Sequence, residues 1–267
     1  MTALCLNGFN GSPWLGQRED LGGWIDATAA AGFALFAPDC PAIAAWLAAG
    51  RTLPQLATRF RDAGIGCGVV TVAALLDGSE QQGPALAFAA AAADALETPM
   101  LQVNVAAAGP AAQRAALEQA CAQLDGTGLR LALEYMPTTP LATLADTLAL
   151  VEAVGPERAG ALVDIWHHSC DPDGWDTLAT IPLAAIAYAE FDDARPRAGP
   201  DLTTEMLHRR TMPGNGVLDC ARFAALLAAR GYAGMVSVEV LDAEWRGRPV
   251  ADFARACHET ARHFFPA

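Results

Sequence analysis

The chain contains no lysine, and all 17 of its basic residues are arginines. A Schiff-base aldolase needs a lysine amine, as does any mechanism built on a lysine general base, so both classes are excluded. Cysteine pairs are also missing. The seven cysteines (Cys5, Cys40, Cys67, Cys121, Cys170, Cys220 and Cys257) are scattered without a CxxC spacing. An odd, dispersed set reads as reduced thiols in a cytoplasmic protein, not as a disulfide framework or a zinc site. No apolar run is long enough to span a bilayer: the alanine-rich stretch from Pro84 to Leu96 is short and holds Asp94, which reads as an amphipathic helix. The start, MTALCLNGF, lacks the charged leader and long apolar stretch of a signal peptide, so a soluble protein is expected. Positive charge is scarce, with a formal net charge of −13 and no basic stripe, which argues against nucleic acid or an anionic membrane as partner. The stretch Asn7-Gly8-Phe9-Asn10-Gly11 has neither GxGxxG nor GxxxxGK spacing, so it is read as pocket lining with Asn7 facing substrate, not as a phosphate cradle.

What is present is a strand-then-helix rhythm over 267 residues, close to the ~250 of one α/β barrel. Candidate strands are Ala3–Phe9, Phe33–Ala37, Gly66–Val72, Met100–Val105, Arg130–Tyr135, Gly160–Trp166, Ala185–Phe191 and Met235–Val240. Most are apolar throughout, as strands covered on both faces are. Helical segments lie between them at Asp20–Ala31, Leu53–Ala63, Pro110–Leu124, Leu141–Val154 and Cys220–Arg230, the last ending at Gly231 as at a helix C-cap. Eight alternations without a Pro/Gly/Ser linker predict an α/β protein, a single (β/α)₈ TIM barrel over residues 1–267. A C-terminal helical segment, ADFARACHETARHFF, follows, with Phe264 and Phe265 expected to cap the barrel.

Four apolar runs in the second half each end in an acid: LALEY at Glu134, ALVDIWHH at Asp164, AIAYAEFDD at Glu190 and MVSVEV at Glu239. A carboxylate costs several kcal/mol to strand in an apolar place, so the repetition points to a shared polar centre of the kind that holds a divalent cation. In a barrel of this type the active site is built at the C-terminal ends of the strands, which is where these four acids fall on strands five to eight. An all-oxygen shell of carboxylates suits Mn²⁺ or Mg²⁺ better than Zn²⁺. Four ionised carboxylates around one dication leave the site negative unless one keeps a proton, or Arg210 or His167 supplies positive charge. The alternative is that Glu190 turns away and water takes its place.

The run LALEYMP, then VDIWHH with D-x-x-H at Asp164 and His167, then EFDDA, then R-x-x-x-G-x-G from Arg210 to Gly216, then GYAGMVSVEV, resembles the xylose-isomerase-like sugar phosphate isomerase/epimerase superfamily. The likeness covers Leu131 to Val240, about half the chain, and the N-terminal half agrees in rhythm alone. The resemblance implies metal ligands at Glu134, Asp164 and Glu239. It departs at the fourth position, commonly His or Gln in the family, where this chain has Glu190. It further implies a metal-stabilised enediolate, Glu134 and Glu239 as the acid/base pair, His167 on a substrate oxygen, and Arg210 on a hydroxyl or phosphate of the substrate. His168 is read as a bland neighbour. Trp14, Trp166 and Trp175 are candidate walls of the site, with Trp166 as a substrate contact.

The expected function is therefore a divalent-metal-dependent isomerase or epimerase of a sugar, keto-sugar or related α-hydroxycarbonyl compound. Two other readings are a lyase or dehydratase that begins with the same proton abstraction, and a catalytically silent metal or ligand binder. The endonuclease members of the superfamily, which resemble a His-rich three-zinc design, are set aside on charge and ligands. The expected partner is a small carbohydrate-like molecule, and the 53% apolar composition permits a homodimer.

Overall fold

The computed structural model describes residues 2–266. The strands are β1 Leu4–Asn7, β2 Leu35–Ala37, β3 Gly66–Cys67, β4 Val70–Leu76, β5 Met100–Val105, β6 Arg130–Glu134, β7 Ala159–Asp164, β8 Ile186–Phe191, β9 Asp193–Ala194, β10 Arg210–Thr211 and β11 Val236–Val238. The helices are α1 Leu21–Ala31, α2 Cys40–Ala48, α3 Leu53–Ala63, α4 Gln82–Ala95, α5 Pro110–Gln123, α6 Leu144–Val154, α7 Ile165–His168, α8 Gly174–Thr180, α9 Leu202–His208, α10 Cys220–Ala229 and α11 Val250–Ala261. Among the described residues no helix is long and apolar enough to cross a membrane.

Nine parallel strands follow one another in the order β3-β2-β1-β11-β8-β7-β6-β5-β4, and an isolated parallel bridge between Asp39 and Thr71 joins the two ends. The sheet is thus a barrel of eight staves, the third of which is broken into β3 and β4. This corrects the expected unbroken strand Gly66–Val72. At the break, a Cβ on Gly68 would sit 2.6 Å from Met235 Sδ and 3.0 Å from Cys5 Sγ, inside the barrel, which favours glycine there. Val72 then takes a left-handed φ of 50°, a conformation a β-branched residue adopts only where its surroundings impose it.

Residues on each stave alternate between an inner face and the helix layer. Cys5, Ala132, Leu162 and Tyr188 form a small inner core, and each stands two residues before Asn7, Glu134, Asp164 or Glu190 on the same face. The larger core lies between the sheet and the helices. Phe264 and Phe265 pack there, at 5.2 and 5.0 Å from the outward-facing Phe191, so they cover the outer face of the seventh stave and not the barrel end. Helix α11 closes on α1 through Trp24 and Phe253, whose rings meet edge to face at 5.5 Å. Helix ends follow local chemistry: Asp20 caps α1, and Thr52 with Gln55 forms a capping box on α3.

Candidate active site

Residues Glu134 and Asp164 end their strands, Glu190 is the penultimate residue of β8, and Glu239 follows β11 directly. Backbone register sets Asp164 opposite Glu190 and Glu134 opposite Asn104. One oxygen from each of the four acids lies within 4.8 Å of the others, and all four residues are buried. Asp164, Glu134 and His167 form a second such group.

Neutral amides hold these carboxylates. Asn7 Nδ2 donates to Glu190 Oε1 at 3.0 Å and to Glu239 Oε1 at 2.9 Å. Gln102 Nε2 and Asn104 Nδ2 donate to Glu134 Oε2 at 2.7 and 2.8 Å. The carbonyl of Gln102 accepts from the backbone N–H of Val72 at 2.5 Å, tying the strained residue of the third stave to Glu134. The Tyr188 hydroxyl also donates to Glu190 Oε1, at 3.2 Å.

Among the described residues the one guanidinium in the centre belongs to Arg210, 1% exposed. It arrives on β10, which pairs antiparallel with β9 and is anchored by the Arg210 N–H donating to Leu241 O. Its Nη1 stands 2.7 Å from Asp164 Oδ2, 2.6 Å from Asp192 Oδ2 and 3.3 Å from Glu239 Oε2, and its Nε donates to Met206 O at 3.1 Å. Its Nη2 lies 3.4 Å from His167 Nε2, which is itself 3.2 Å from Glu134 Oε1.

Burial raises the Asp164 carboxyl, but Arg210 and His167 outweigh it and hold the group below its ordinary range. Asp192 shares the same cation, and burial pushes it well above. Burial also drives Glu190 well above the usual carboxylate value, reinforced by Glu239, Glu134 and Asp164 as like charges. Glu239 is pushed up to about 8 by burial, against the pull of Arg210 and with Glu134 and Asp164 adding to the rise. Two acids raised in part by neighbouring carboxylates are what a cation placed among them would relieve. Oxygen donors on opposite sides of Mg²⁺ or Ca²⁺ stand roughly 4–5 Å apart, so a cluster within 4.8 Å fits a divalent metal.

A cavity of about 470 Å³ reaches this centre, although Asp164 and Asp192 do not line it. Asn7, Glu134, His167, Glu190, Arg210 and Glu239 all face it. Trp166, expected as a substrate contact, does not line it. Asp164 Oδ1 accepts from the N–H groups of Trp166 and His167 at 2.6 and 3.2 Å, winding residues 165–168 into the single turn α7. That turn points His167 inward and packs Trp166 against Ala194 and Met206, with its ring 5.5 Å from the Arg210 guanidinium. Trp175 lies behind, 4.6 Å from His168, and Trp14 alone of the three stands at the cavity. Gln102, Asn104, Tyr188 and Asp192 belong to the centre without having been assigned from sequence. Alternating polar residues inside MLQVNV were the available signal for the first two.

The family model described as xylose isomerase-like TIM barrel matches residues 25–259. Inosose isomerase of Halalkalibacterium halodurans is 28% identical over 120 residues, 44% of this chain and 42% of that protein. The 3-dehydroshikimate dehydratase of Pseudomonas aeruginosa is 30% identical over 126 residues, 46% of this chain and 19% of that protein. The chain therefore spans less than half the length of these curated relatives. The solved IOLI protein with a binding zinc atom superposes with a TM-score of 0.85 at 15% identity, over 98% of each chain, a likeness of fold.

Proposed function

Because the chain belongs to the xylose isomerase-like TIM-barrel family, we propose that it is an enzyme, a divalent-metal-dependent isomerase or epimerase of a sugar, keto-sugar or related α-hydroxycarbonyl compound. The observation that carries this reading is the convergence of Glu134, Asp164, Glu190 and Glu239 within 4.8 Å at the C-terminal mouth of the barrel. Those four residues would hold the ion, and the oxygen-only donor set favours Mn²⁺ or Mg²⁺. When bound, the metal polarises the substrate carbonyl and its neighbouring hydroxyl.

The protein's own groups move the proton. Glu134 has one oxygen fixed by Gln102 and Asn104, which leaves Oε1 beside His167 as the base that takes the proton from the carbon between carbonyl and hydroxyl. Glu239, fixed by Asn7 and Arg210, returns a proton to complete an isomerisation or epimerisation. His167 and Arg210, with Nε2 and Nη2 facing each other, orient the substrate oxygens. Asn7 acts on the acids first and lines the cavity second.

The dehydratase relative favours a second reading, in which the same abstraction is followed by loss of a β-substituent. Metal analysis of the purified protein, followed by solvent-deuterium uptake with a panel of keto-sugars, tests both. Uptake with unchanged formula supports isomerisation, and uptake with loss of water or an alcohol supports the lyase. A metal-loaded protein that exchanges no probe, with Glu134→Gln altering binding alone, would make it a silent binder and overturn the proposal.

A further inference from the structure

The cavity changes character from bottom to top. Its floor is the polar centre, whereas the residues at or beyond the strand ends include Phe9 and Trp14 after β1, Leu75 as the penultimate residue of β4, Met136 after β6, Met206 on α9 and Leu241 after β11. Apart from the Trp14 indole N–H, these side chains offer no strong hydrogen-bonding group. Phe9 and Trp14 pack together with ring centroids 5.6 Å apart. Four large apolar side chains are exposed among the described residues, and two of them, Trp14 at 58% and Leu75 at 51%, stand at this mouth. Exposed apolar groups gathered at a cavity mark a surface that a ligand covers.

Charge narrows the ligand. Among the described residues that line the cavity, Arg210 and His167 alone are able to carry positive charge, and both sit in the floor, with Arg210 Nη1 among Asp164, Asp192 and Glu239. A phosphate at the upper end would meet no cation. A chain of hydroxyls there would lose hydrogen bonds to water without replacing them.

We infer that the substrate is an uncharged keto-compound bearing an apolar substituent, aromatic or branched alkyl, on the side away from the reacting carbons, and that Phe9, Trp14 and Leu75 select it. This rests on the proton-abstraction reading of the acidic floor. Met136 and Met206 are suited to such a role because an unbranched thioether adapts to ligand shape.

The test uses the Mn²⁺-loaded protein and three probes, each a methyl hexoside oxidised to the ketone at carbon 3 and carrying on oxygen 6 a methyl, a phenyl or a phosphate group. Calorimetry gives affinity and deuterium uptake gives chemistry. The phenyl probe is expected to bind about 10- to 30-fold more tightly than the methyl probe, the effect of burying most of one ring, and the phosphate to weaken binding. Trp14→Ser and Leu75→Ser, both at exposed positions, are expected to bring the phenyl-to-methyl ratio close to one. Equal affinities, tighter binding of the phosphate, or a ratio that neither variant moves would overturn the inference. Deuterium uptake without phenyl preference sinks the apolar wall and keeps the chemistry. Phenyl preference without uptake by any probe keeps the wall and sinks the chemistry.

Discussion

The two halves of the barrel contribute opposite kinds of polar group to one centre. Staves five to eight supply Glu134, Asp164, Glu190 and Glu239, whereas staves one and four supply Asn7, Gln102 and Asn104. No acid from the first half lines the cavity. Its buried Asp39 instead caps α2 through the Ala42 N–H. The difference shows how a carboxylate can be oriented without being neutralised. An amide N–H satisfies and aims an acid oxygen while adding no charge, so the potential at the cluster stays negative for a cation. An arginine in its place would compete with that cation. Arg210 comes from the acid half, where its Nη1 touches Asp164 and Asp192 and stands 3.3 Å from Glu239, so two of the proposed ligands share it with the ion.

The largest expected effect lies in the acid half. Glu134→Gln keeps the size of the side chain and removes the base, so deuterium uptake by a keto-sugar probe is expected to fall about 10³-fold. Uptake within threefold of the parent would break the assignment of Glu134. Next comes Arg210→Met, which leaves Asp164, Asp192 and Glu239 buried without their cation. Stripping one partner from a buried ion cluster costs about 3–5 kcal/mol, which a shift in the urea unfolding midpoint would report. A loss below about 1 kcal/mol would mean that the guanidinium does not balance these acids.

The amide half sharpens the comparison with a smaller effect. Gln102→Leu and Asn7→Leu keep the cavity filled but take one donor from Glu134, or one from each of Glu190 and Glu239. Outer groups that aim metal ligands typically contribute 10- to 100-fold in affinity or activity, so Mn²⁺ affinity measured by calorimetry is expected to drop by about that factor. Unchanged affinity would reduce the amides to filler.

The same division explains what could be read from the chain. A carboxylate at the end of an apolar run is conspicuous, so all four acids and the barrel rhythm were visible as sequence. Asn7 was read as facing substrate, not as a support for the acids, and Gln102 and Asn104, which carry no charge, showed only as the alternation in MLQVNV. The break at Gly68 was hidden because GCGVVTV reads as one strand, and the side chains that crowd Gly68, Met235 and Cys5, are distant in sequence. Trp166 was misplaced because VDIWHH looks like strand until Asp164 caps a single helical turn there.

That turn supplies the smallest effect and a contrast within the acid half itself. His167 faces the cavity, whereas His168 is buried on the far side against Trp175 and Phe223, with Nδ1 3.2 Å from the Tyr135 hydroxyl. Burial lowers the pKa of His168 from 6.5 to about 4, against the pull of Asp171. The unfolded chain therefore takes up a proton on this ring below pH 6.5 that the folded protein refuses until about pH 4, and stability falls as pH drops through that window. From pH 7 to 5.5 the loss from this ring amounts to about 1 kcal/mol. Asn at 168 does not titrate and can still meet the Tyr135 hydroxyl. Urea unfolding of the parent and of His168→Asn at the two pH values is expected to give a shallower pH dependence for the variant, by that amount. Equal slopes would mean that the imidazole takes up its proton as readily in the folded protein as in the unfolded chain, and that the layer behind the acids is not the dry backing its aromatic packing describes.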